Sequence, residues 1–435
     1  MDLLESVGEW GHGPEPVRRL AVLSMHTSPL AQPGTGDGGG MNVYVRELAT
    51  ALARSGVECE VFTRAEDPVQ PRVVTVEPGF RVHHVAAGPR APVVKESLPE
   101  LVDEWTAGVG AELRRLEAQG RPVAAIHANY WLSGLAGHAL KHELELPLLV
   151  TFHTLDRVKA DASPEAISVL EPARRARAEA DIVGCADAVL ASCRVEADQL
   201  ADLYGADPER IAMVAPGVEH AFFTPGDRRQ ARRALGLPDN HPIVLFVGRI
   251  QPLKGPSVAV EALAGIRGAG GRAADARIIL IGGPSGPQGP AEMAAVRRAI
   301  TANRLEGAVQ MLPPQPHEIL STYFRAADVC VVPSHSESFG LVALEAAACG
   351  IPVVASAVGG LTTLVHHGST GFLVEGRDPA GYAEPLAALL GDPQGASRMG
   401  IRAAARAGAY TWQRAAADLW SRVAYLASST LVACG

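Results

Sequence analysis

The sequence predicts an α/β protein made of two doubly wound domains that face each other across a cleft. The chain has 435 residues, which is enough for two domains of roughly 200 residues each. Short apolar segments alternate with segments of helical periodicity, a pattern typical of parallel sheets covered by helices on both faces. The proline-bounded segment Val214–Pro225 interrupts the alternation, which then starts again. We therefore expect a domain boundary near residue 215.

The predicted strands are short and apolar, and polar or glycine-rich loops follow them. In the first half they are Arg19–Leu23, Val57–Thr63, Ala124–His127, Leu148–Phe152 and Ala188–Ser192. In the second half they are Pro242–Val247, Arg277–Ile281, Val309–Leu312, Val329–Val332 and Pro352–Ala355. Met41–Ser55 has helical periodicity and is followed by Gly56, which favours a helix end there. Because ligands of open α/β sheets bind beyond the carboxyl ends of the strands, the chemistry is expected on the loops that follow them.

This pattern places the first domain at residues 18–215 and the second at residues 216–405. Residues 1–17 form a polar leader. The last segment, residues 406–435, contains Tyr410, Trp412, Trp420 and Tyr425. This density of aromatic residues predicts that the segment packs back on the first domain.

Charge and hydropathy exclude several classes of partner. The net charge of −8 and the pI of about 6.0 argue against a nucleic-acid partner, because such binding usually needs a basic face. Acidic residues precede the first basic residue, which is the wrong order for a secretory signal. No apolar run approaches the roughly 20 residues that span a bilayer. We therefore expect a cytoplasmic protein without a membrane partner.

The six cysteines include no CxxC pair. Scattered cysteines of this kind, mostly in apolar or small-residue runs, favour buried thiols in a reducing cytosol over a disulfide framework or a zinc site. They are Cys59, Cys185, Cys193, Cys330, Cys349 and Cys434.

A glycine-rich run, GTGDGGGMNVY at Gly34–Tyr44, leads into the first predicted helix. Glycines let the backbone approach a ligand, and the N–H groups at a helix start favour an anion. A plain flexible loop is the alternative. The run has neither the spacing of a dinucleotide-binding fingerprint nor the GK[ST] of a Walker loop, and both interpretations stay open on these residues alone.

Two cations follow the first strand of the second half, in FVGRIQPLKGP at Phe246–Pro256. Arg249 can bond two phosphate oxygens with its guanidinium group, and Lys254 can add a point charge. Two surface cations beside a turn are the alternative. Their position at a strand end, where the cleft is expected, favours phosphate binding.

Two carboxylates eight residues apart bracket a helix start in ESFGLVALE, Glu337–Glu345. Each carboxylate can accept hydrogen bonds from sugar hydroxyls, and the backbone N–H groups of Ser338, Phe339 and Gly340 can bind ligand oxygens. A solvated pair of glutamates is the alternative. It fits Glu345 poorly, because that residue lies in an apolar helix.

Polar loops also follow two strands of the first half, in HANYWLSG at His127–Gly134 and VTFHT at Val150–Thr154. His153 is a neutral donor or acceptor by default, although a lone histidine is more often a packing residue. There is no HExxH and no cluster with metal-ligand spacing, so we predict no protein-bound metal. GxSxG is absent, which argues against a hydrolase nucleophile elbow.

The runs FVGRIQPLKGP, GGPSGP (Gly282–Pro287) and PSHSESFGLVALEA together resemble the family 4 retaining glycosyltransferases of the GT-B fold. The run SMHTSPLAQPGTGDGGGMNVY (Ser24–Tyr44), with HANYWLSG, resembles more narrowly the inositol-phosphate N-acetylglucosaminyltransferases of mycothiol biosynthesis. The similarity extends from about Leu20 to Trp412. Three segments depart from the usual pattern. AAGPRAP replaces AAGPYEG before Lys95, HANYWLSG replaces HSHYWLSG, and the stretch LDRVKADASPE after Thr154 is shorter than in the family.

The resemblance implies a role for each matching residue. Arg249 and Lys254 would neutralise the leaving diphosphate, Glu345 would hold the ribose, and His153 would hold the 6-hydroxyl of the donor sugar. The implied catalytic residues are Arg249, Lys254, Glu337 and His153. The implied donor-binding residues are Gly40, Arg249, Lys254, Gln315, Glu337, Ser338, Phe339, Gly340 and Glu345, with the peptide around Gln315 meeting the nucleobase. The implied acceptor-binding residues are Asn42, Lys95, Tyr130, Thr154 and Arg175, with Arg174 as an alternative to Arg175.

The resemblance also implies the substrates and the assembly. The enzyme would move N-acetylglucosamine from UDP-N-acetylglucosamine to 1L-myo-inositol 1-phosphate, with retention of configuration and without an enzymic nucleophile. It would need no cofactor, although Mg²⁺ could accompany the nucleotide, and it would be a homodimer. Two alternatives stay open. One is a secondary-metabolite glycosyltransferase of the same family that uses another donor, such as a GDP-sugar, or a cyclitol, amino-sugar or thiol acceptor. The other is a sugar-nucleotide-binding protein without catalysis.

Overall fold

The computed structural model describes residues 18–34, 38–162, 171–268 and 270–434. The predicted leader, residues 1–17, lies outside this range, as do three residues of the glycine-rich run. The described chain forms two sheets, each covered by helices. This confirms the predicted α/β architecture of two doubly wound domains.

Four strands, at residues 73–77, 80–85, 211–213 and 371–374, were not predicted, whereas the other ten agree closely with the predicted strands and four of those coincide residue for residue. The described residues form fourteen strands in all. They are β1 (Arg19–Leu23), β2 (Glu58–Arg64), β3 (Val73–Glu77), β4 (Phe80–Val85), β5 (Ala125–Asn129), β6 (Leu148–Thr151), β7 (Ala188–Ala191), β8 (Ile211–Met213), β9 (Ile243–Val247), β10 (Arg277–Ile281), β11 (Val309–Leu312), β12 (Val329–Val332), β13 (Val353–Ser356) and β14 (Gly371–Val374).

Helices connect most of these strands. They are α1 (Gly40–Arg54), α2 (Val102–Ala118), α3 (Tyr130–Leu144), α4 (Asp156–Ala162), α5 (Glu171–Cys185), α6 (Arg194–Tyr204), α7 (Arg228–Leu235), α8 (Pro256–Gly268), α9 (Gly289–Ala302), α10 (His317–Ala326), α11 (Leu341–Ala348), α12 (Leu361–Leu364), α13 (Pro379–Gly391), α14 (Pro393–Ala407) and α15 (Trp412–Leu426).

The first sheet has the strand order β3-β4-β2-β1-β5-β6-β7-β8. Its central strands are parallel and almost completely buried, which explains why they are continuous apolar runs in the sequence. The edge strand β3 pairs antiparallel with β4, so the prediction of purely parallel sheets is wrong at this edge. Strand β3 is partly exposed and therefore lacks the apolar signal by which the central strands are recognised.

The second sheet has the strand order β11-β10-β9-β12-β13-β14, and all its pairs are parallel. The order reverses direction at β9, from which the chain moves outward to β10 and β11 and then returns to β12. Ligands of doubly wound sheets bind at such a point, beyond the carboxyl ends of the two adjacent strands. The carboxyl ends of β9 and β12 carry the runs that contain Arg249 and Glu337.

The C-terminal helix α15 packs against α1 of the first domain. Trp412, Leu419 and Val423 on one face of α15 are buried in the same apolar cluster as Leu48 and Leu52 of α1. Thr411 caps the helix by accepting a hydrogen bond from the backbone N–H of Arg414. The chain thus returns to its first domain after completing the second.

The structure corrects the prediction for two of the cysteines. Cys185, the last residue of α5, and Cys434, near the C-terminus, are joined by a disulfide, with their Cα atoms 5.1 Å apart. The sequence separation of 249 residues gave no indication of this pairing. The other four cysteines are buried free thiols, as predicted. Among the described helices, none is long and apolar enough to cross a membrane.

Candidate active site

A cleft of about 750 Å³ lies between the two sheets. Its walls are the loops after the strands of both domains, together with the first turns of α1, α3 and α11. All nine residues that the resemblance assigns to the donor line this cleft: Gly40, Arg249, Lys254, Gln315, Glu337, Ser338, Phe339, Gly340 and Glu345. Parallel topology brings these distant segments together, because every strand delivers its following loop to the same edge of its sheet.

The two predicted diphosphate ligands follow β9 on one short loop. Arg249 crosses toward the first domain, where its Nε lies 3.5 Å from the position that a Cβ on Gly39 would occupy. Lys254 ends a single turn of 3-10 helix, and its Nζ bonds Glu337 Oε2 at 2.5 Å. A bound diphosphate would therefore contact the Arg249 guanidinium group beside the glycine-rich loop. It would also contact the Lys254 ammonium group, which Glu337 already holds in position.

The conformation of the Lys254 loop depends on Gly255, which follows the lysine directly. Gly255 has φ of +64°, and a Cβ added there would lie 2.3 Å from the carbonyl oxygen of Pro333. The backbone N–H of His335 also bonds the carbonyl oxygen of Leu253 at 2.8 Å. The loops after β9 and β12 are thus held against each other by close backbone contact.

Replacing Gly255 by alanine is expected to cost about 1–3 kcal/mol more stability than the matched change Gly205→Ala. Gly205 has a similar φ of +68° at the end of α6, but nothing lies within 4 Å of an added Cβ. Alanine is strained by the left-handed backbone in both variants. The difference between their losses in stability therefore measures the clash with Pro333 alone. Chemical denaturation of the two purified variants measures it, and equal losses would contradict the proposed contact.

The segment after Glu337 is fixed from both sides. Gly359 approaches so closely that an added Cβ would lie 1.9 Å from the carbonyl oxygen of Glu337, and the N–H of Gly360 bonds that oxygen at 3.0 Å. On the other side, Ser338 Oγ donates to the carbonyl oxygen of His153 at 2.5 Å. This contact joins the two domains across the cleft. The Gly359–Gly360 pair supports the site, and sequence reasoning missed it.

Glu345 lies on α11 and is only 5% exposed. Burial, with a smaller contribution from Glu47, raises the pKa of this carboxyl to about 8. Its Oε1 lies 3.5 Å from Nε2 of His317, and burial lowers the pKa of that imidazole. Both shifts favour the neutral forms near pH 7, so the contact is a polar one between neutral groups rather than an ion pair. His317 lines the cleft and was not predicted from the sequence.

The glycine-rich run meets the second domain at the start of α1. Gly40 lines the cleft, and an added Cβ there would lie 3.4 Å from Leu341 at the start of α11. Asn42 is buried; its side-chain amide donates to Thr27 Oγ1 and to the carbonyl oxygen of Ser28, both at 2.6 Å. Its Oδ1 accepts from the N–H of Gly39. In this structure Asn42 holds the loop in shape, and its assignment as an acceptor ligand stays a prediction.

His153 lines the cleft in a left-handed backbone conformation with φ of +61°. Its Nε2 lies 2.9 Å from Asn129 Oδ1, and the Asn129 amide nitrogen faces the carbonyl oxygen of His127. Nε2 is therefore the protonated nitrogen, which leaves Nδ1 as an acceptor. Burial and the neighbouring His127 lower the pKa of His153 to about 3. The imidazole is neutral and can bond a hydroxyl group, as the resemblance implies.

Most of the predicted acceptor residues converge on Tyr130. Lys95 Nζ lies 4.6 Å from the centre of the Tyr130 ring, and the Arg175 guanidinium carbon lies 4.8 Å from it. Arg175 also donates to Tyr130 Oη at 3.1 Å and to Thr154 Oγ1 at 3.2 Å. Glu179 accepts from Arg175 Nε at 2.7 Å and fixes the guanidinium plane. The predicted alternative, Arg174, is exposed and does not line the cleft.

Two cleft residues near this cluster were missed by the sequence analysis. Lys159 on α4 has a pKa well below its usual value because it is buried and because Arg175, Lys95 and Arg249 lie nearby. The His26 ring contacts the Tyr130 ring at a tilt of 40°, with the ring centres 4.4 Å apart. Burial is the main cause that lowers the pKa of His26, and nearby cations such as Lys95 add to it. Three of the four lysines of the chain therefore line this cleft. The position of His26 just after β1 was the available signal.

One buried carboxylate also reaches the first-domain wall of the cleft. Glu196, in the first turn of α6, accepts from the backbone N–H of Ser192 at 2.8 Å and from its hydroxyl group. Burial raises the pKa of Glu196. These contacts hold the turn between β7 and α6, which fits a structural role rather than that of a nucleophile.

The sequence matches two family descriptions that together cover both domains. Residues 39–217 match the Glycosyl transferase 4-like domain, and residues 227–406 match Glycosyl transferases group 1. Two of the similar proteins are D-inositol 3-phosphate glycosyltransferases. The one from Acidothermus cellulolyticus is 48% identical over 86% of this chain and 83% of its own. The one from Kineococcus radiotolerans is 47% identical over 89% of this chain and 91% of its own.

The fold is shared with solved structures. Sucrose-phosphate synthase from Thermosynechococcus elongatus superimposes with a TM-score of 0.84 at 33% identity, covering 94% of this chain and 99% of its own. With both domains matched, and with relatives at this identity over most of their length, the chain belongs to the retaining, nucleotide-sugar-dependent glycosyltransferases of family 4, which have the GT-B fold.

Proposed function

We propose that the enzyme transfers N-acetylglucosamine from UDP-N-acetylglucosamine to 1L-myo-inositol 1-phosphate, also called D-inositol 3-phosphate. The observation that carries this proposal is the cationic cluster around Tyr130, where Lys95 lines the cleft and the buried Arg175 lies against the cleft residues Tyr130 and Thr154. Such a cluster suits a phosphate on the acceptor, since arginine and lysine are the usual phosphate ligands. The similar proteins named for D-inositol 3-phosphate support the same acceptor.

Two sets of cations divide the cleft between the substrates. Arg249 and Lys254 belong to the second domain and would hold the diphosphate of the donor. Lys95 and Arg175 belong to the first domain and would hold the phosphate of the acceptor, with Lys159 beside them. Placing the two phosphate groups on opposite walls leaves the sugar between them, near Glu337 and His153.

The proposed reaction proceeds with retention by attack from the face of the departing diphosphate. The acceptor hydroxyl forms the new bond to the anomeric carbon while the bond to the diphosphate oxygen breaks. The proton of the hydroxyl passes to a phosphate oxygen of the leaving group. His26 and His153 have lowered pKa values and are neutral, so they orient hydroxyl groups rather than supply protons. The main task of the protein is to stabilise the charge that builds on the leaving group.

Lys95→Ala tests the acceptor. The variant is expected to raise the KM for inositol phosphate about 10- to 150-fold, the effect of losing one hydrogen bond to a charged group. The KM for the donor should stay nearly unchanged. Initial rates with inositol phosphate and with unphosphorylated inositol, measured for wild type and variant, provide both values.

Arg90→Ala is the matched control, because Arg90 is an exposed cation five residues earlier in the chain. It should leave the KM for inositol phosphate unchanged. If Lys95→Ala also has no effect on that KM, the phosphate assignment is wrong. A screen of UDP- and GDP-sugars with cyclitol, amino-sugar and thiol acceptors would then identify the secondary-metabolite alternative.

The cytoplasmic location and the homodimer are further parts of this proposal. They are supported by the resemblance and the small polar substrates. Light scattering coupled to gel filtration gives the number of chains, and cell fractionation gives the location. A monomeric mass would contradict the dimer without affecting the assignment of the substrates.

A further inference from the structure

Four side chains with metal-binding atoms converge on the first domain, away from the cleft. They are His138 and His142 on α3, Cys185 at the end of α5, and Cys434 in the segment after α15. His142 lies twelve residues beyond Tyr130 on the same helix, which corresponds to about 18 Å along the helix axis. The cluster therefore lies far from the substrates and takes no part in the proposed reaction.

The four ligand atoms lie within 4.8 Å of one another. His142 Nε2 is 3.1 Å from Cys434 Sγ and 3.4 Å from Cys185 Sγ. His138 and His142 are four residues apart, so both rings project from one face of α3, with their centres 5.2 Å apart. A tetrahedral zinc ion with bonds of about 2.0–2.3 Å separates its ligands by about 3.3–3.8 Å. His142 Nε2 already lies near this spacing from both sulfurs, and the two bonded sulfurs have to separate before all four atoms can adopt it.

The segment that carries Cys434 is also held by contacts that do not involve sulfur. Asp187 Oδ1 accepts from the backbone N–H of Val432 at 2.7 Å and from Lys141 Nζ at 2.9 Å. Lys141 Nζ also donates to the carbonyl oxygen of Cys185 at 2.7 Å. This buried network fixes the backbone on both sides of the cysteine pair. It therefore places Cys434 beside Cys185 whether or not the two sulfurs are bonded.

We propose that the reduced protein binds one zinc ion through His138, His142, Cys185 and Cys434. Two thiolates and two imidazoles form a ligand set that favours zinc, and four protein ligands indicate a structural rather than a catalytic site. A disulfide alone needs no histidine beside it, whereas here two imidazoles lie at the sulfur pair. A reducing compartment, as expected for this enzyme, keeps such thiols available.

The disulfide and the zinc site are two states of one cluster. A thiol reductant supplies two electrons and two protons to the disulfide, giving two cysteine thiols, and is itself oxidised to a disulfide. Zinc then binds with the release of one proton from each thiol. In both states, the C-terminal segment after α15 is fastened to α3 and α5 of the first domain.

Metal analysis of the full chain tests this proposal. Protein purified in the presence of a phosphine reductant and supplied with Zn²⁺ should retain about one zinc per chain after dialysis. Replacement of zinc by Co²⁺ should give sulfur-to-cobalt charge-transfer absorption and the visible bands of a tetrahedral site. Cys434→Ser and His142→Ala should each weaken zinc binding at least 100-fold, more than the loss of a group outside the ligand shell. Oxidation to the disulfide should release the metal.

His366→Ala serves as the control, because His366 is an exposed histidine of the second domain. It should keep the full zinc content. Cys434 lies close to the C-terminus, so Cys434→Ser is expected to fold, and circular dichroism checks this directly. Reduced wild type that retains no zinc, or variants that bind zinc as tightly as wild type, would overturn the proposal. A cobalt spectrum without charge transfer from sulfur would overturn it as well.

Discussion

Replacing Arg249 by alanine is expected to lower kcat/KM about 100- to 1,000-fold, the usual cost of removing one group that stabilises charge in a transition state. Lys254 is already bonded to Glu337, and in the proposed function Arg249 binds the diphosphate from the other side, where the first domain contributes Gly39. Its guanidinium lies against the glycine-rich loop at Gly39, and charges between two protein surfaces interact more strongly than charges in bulk water. Steady-state kinetics with both substrates varied measure the effect.

Two further variants separate charge from geometry. Arg249→Lys keeps the charge but loses the two-pronged geometry of the guanidinium group, so its rate should lie between those of wild type and Arg249→Ala. Arg298→Ala removes an exposed arginine of α9 and should leave the rate unchanged. Near-normal turnover by Arg249→Ala would refute the assignment of this residue to the leaving group.

Replacing Glu345 by glutamine is expected to change how stability depends on pH. Burial raises the pKa of Glu345 from 4.5 to about 8. Between these two values the folded protein holds a proton that the unfolded chain has lost, so the free energy of unfolding falls as the pH rises. The free energy of unfolding falls by about 1.4 kcal/mol for each pH unit in this window, and by at most about 5 kcal/mol over the whole window. Glutamine does not ionise and avoids this loss.

The measurement is the difference in free energy of unfolding between wild type and Glu345→Gln from pH 5 to pH 8.5. The stability of Glu345→Gln relative to wild type should be lowest at pH 5 and should rise with each pH unit up to about 8. Other groups that titrate in this range, including His317 and Glu47, are present in both proteins and cancel to first order. Parallel stability curves would show that Glu345 is not buried as a neutral acid.

Much of the fold could be predicted from local patterns. Strands such as β1, β10 and β12 have the predicted bounds, because a strand buried on both faces is a continuous apolar run that ends at its polar loop. The exposed edge strand β3 lacks this pattern, and its antiparallel pairing with β4 was missed. The position of an exposed edge strand such as β3 depends on its pairing with the neighbouring strand rather than on the hydrophobicity of its own residues.

The site shows the same division between local and tertiary information. The sequence by itself determined which residues could bind phosphates and sugars, since Arg249, Lys254 and Glu337 carry their chemistry in contiguous runs after strands. Only the tertiary structure decided which residues meet. In the structure Lys254 bonds Glu337, the Asn42 side chain points inward and supports its loop, and Arg175 rather than Arg174 contacts Tyr130.

The cysteines give the clearest case. Four of them are buried thiols, as local composition predicted, but Cys185 and Cys434 are neighbours despite their separation of 249 residues. Their contact exists because α15 packs on α1 and the following segment is fastened to Asp187. The type of a residue and its neighbours in the chain indicate what it could bind. Which residues it contacts depends on long-range packing, and no local sequence pattern contains that information.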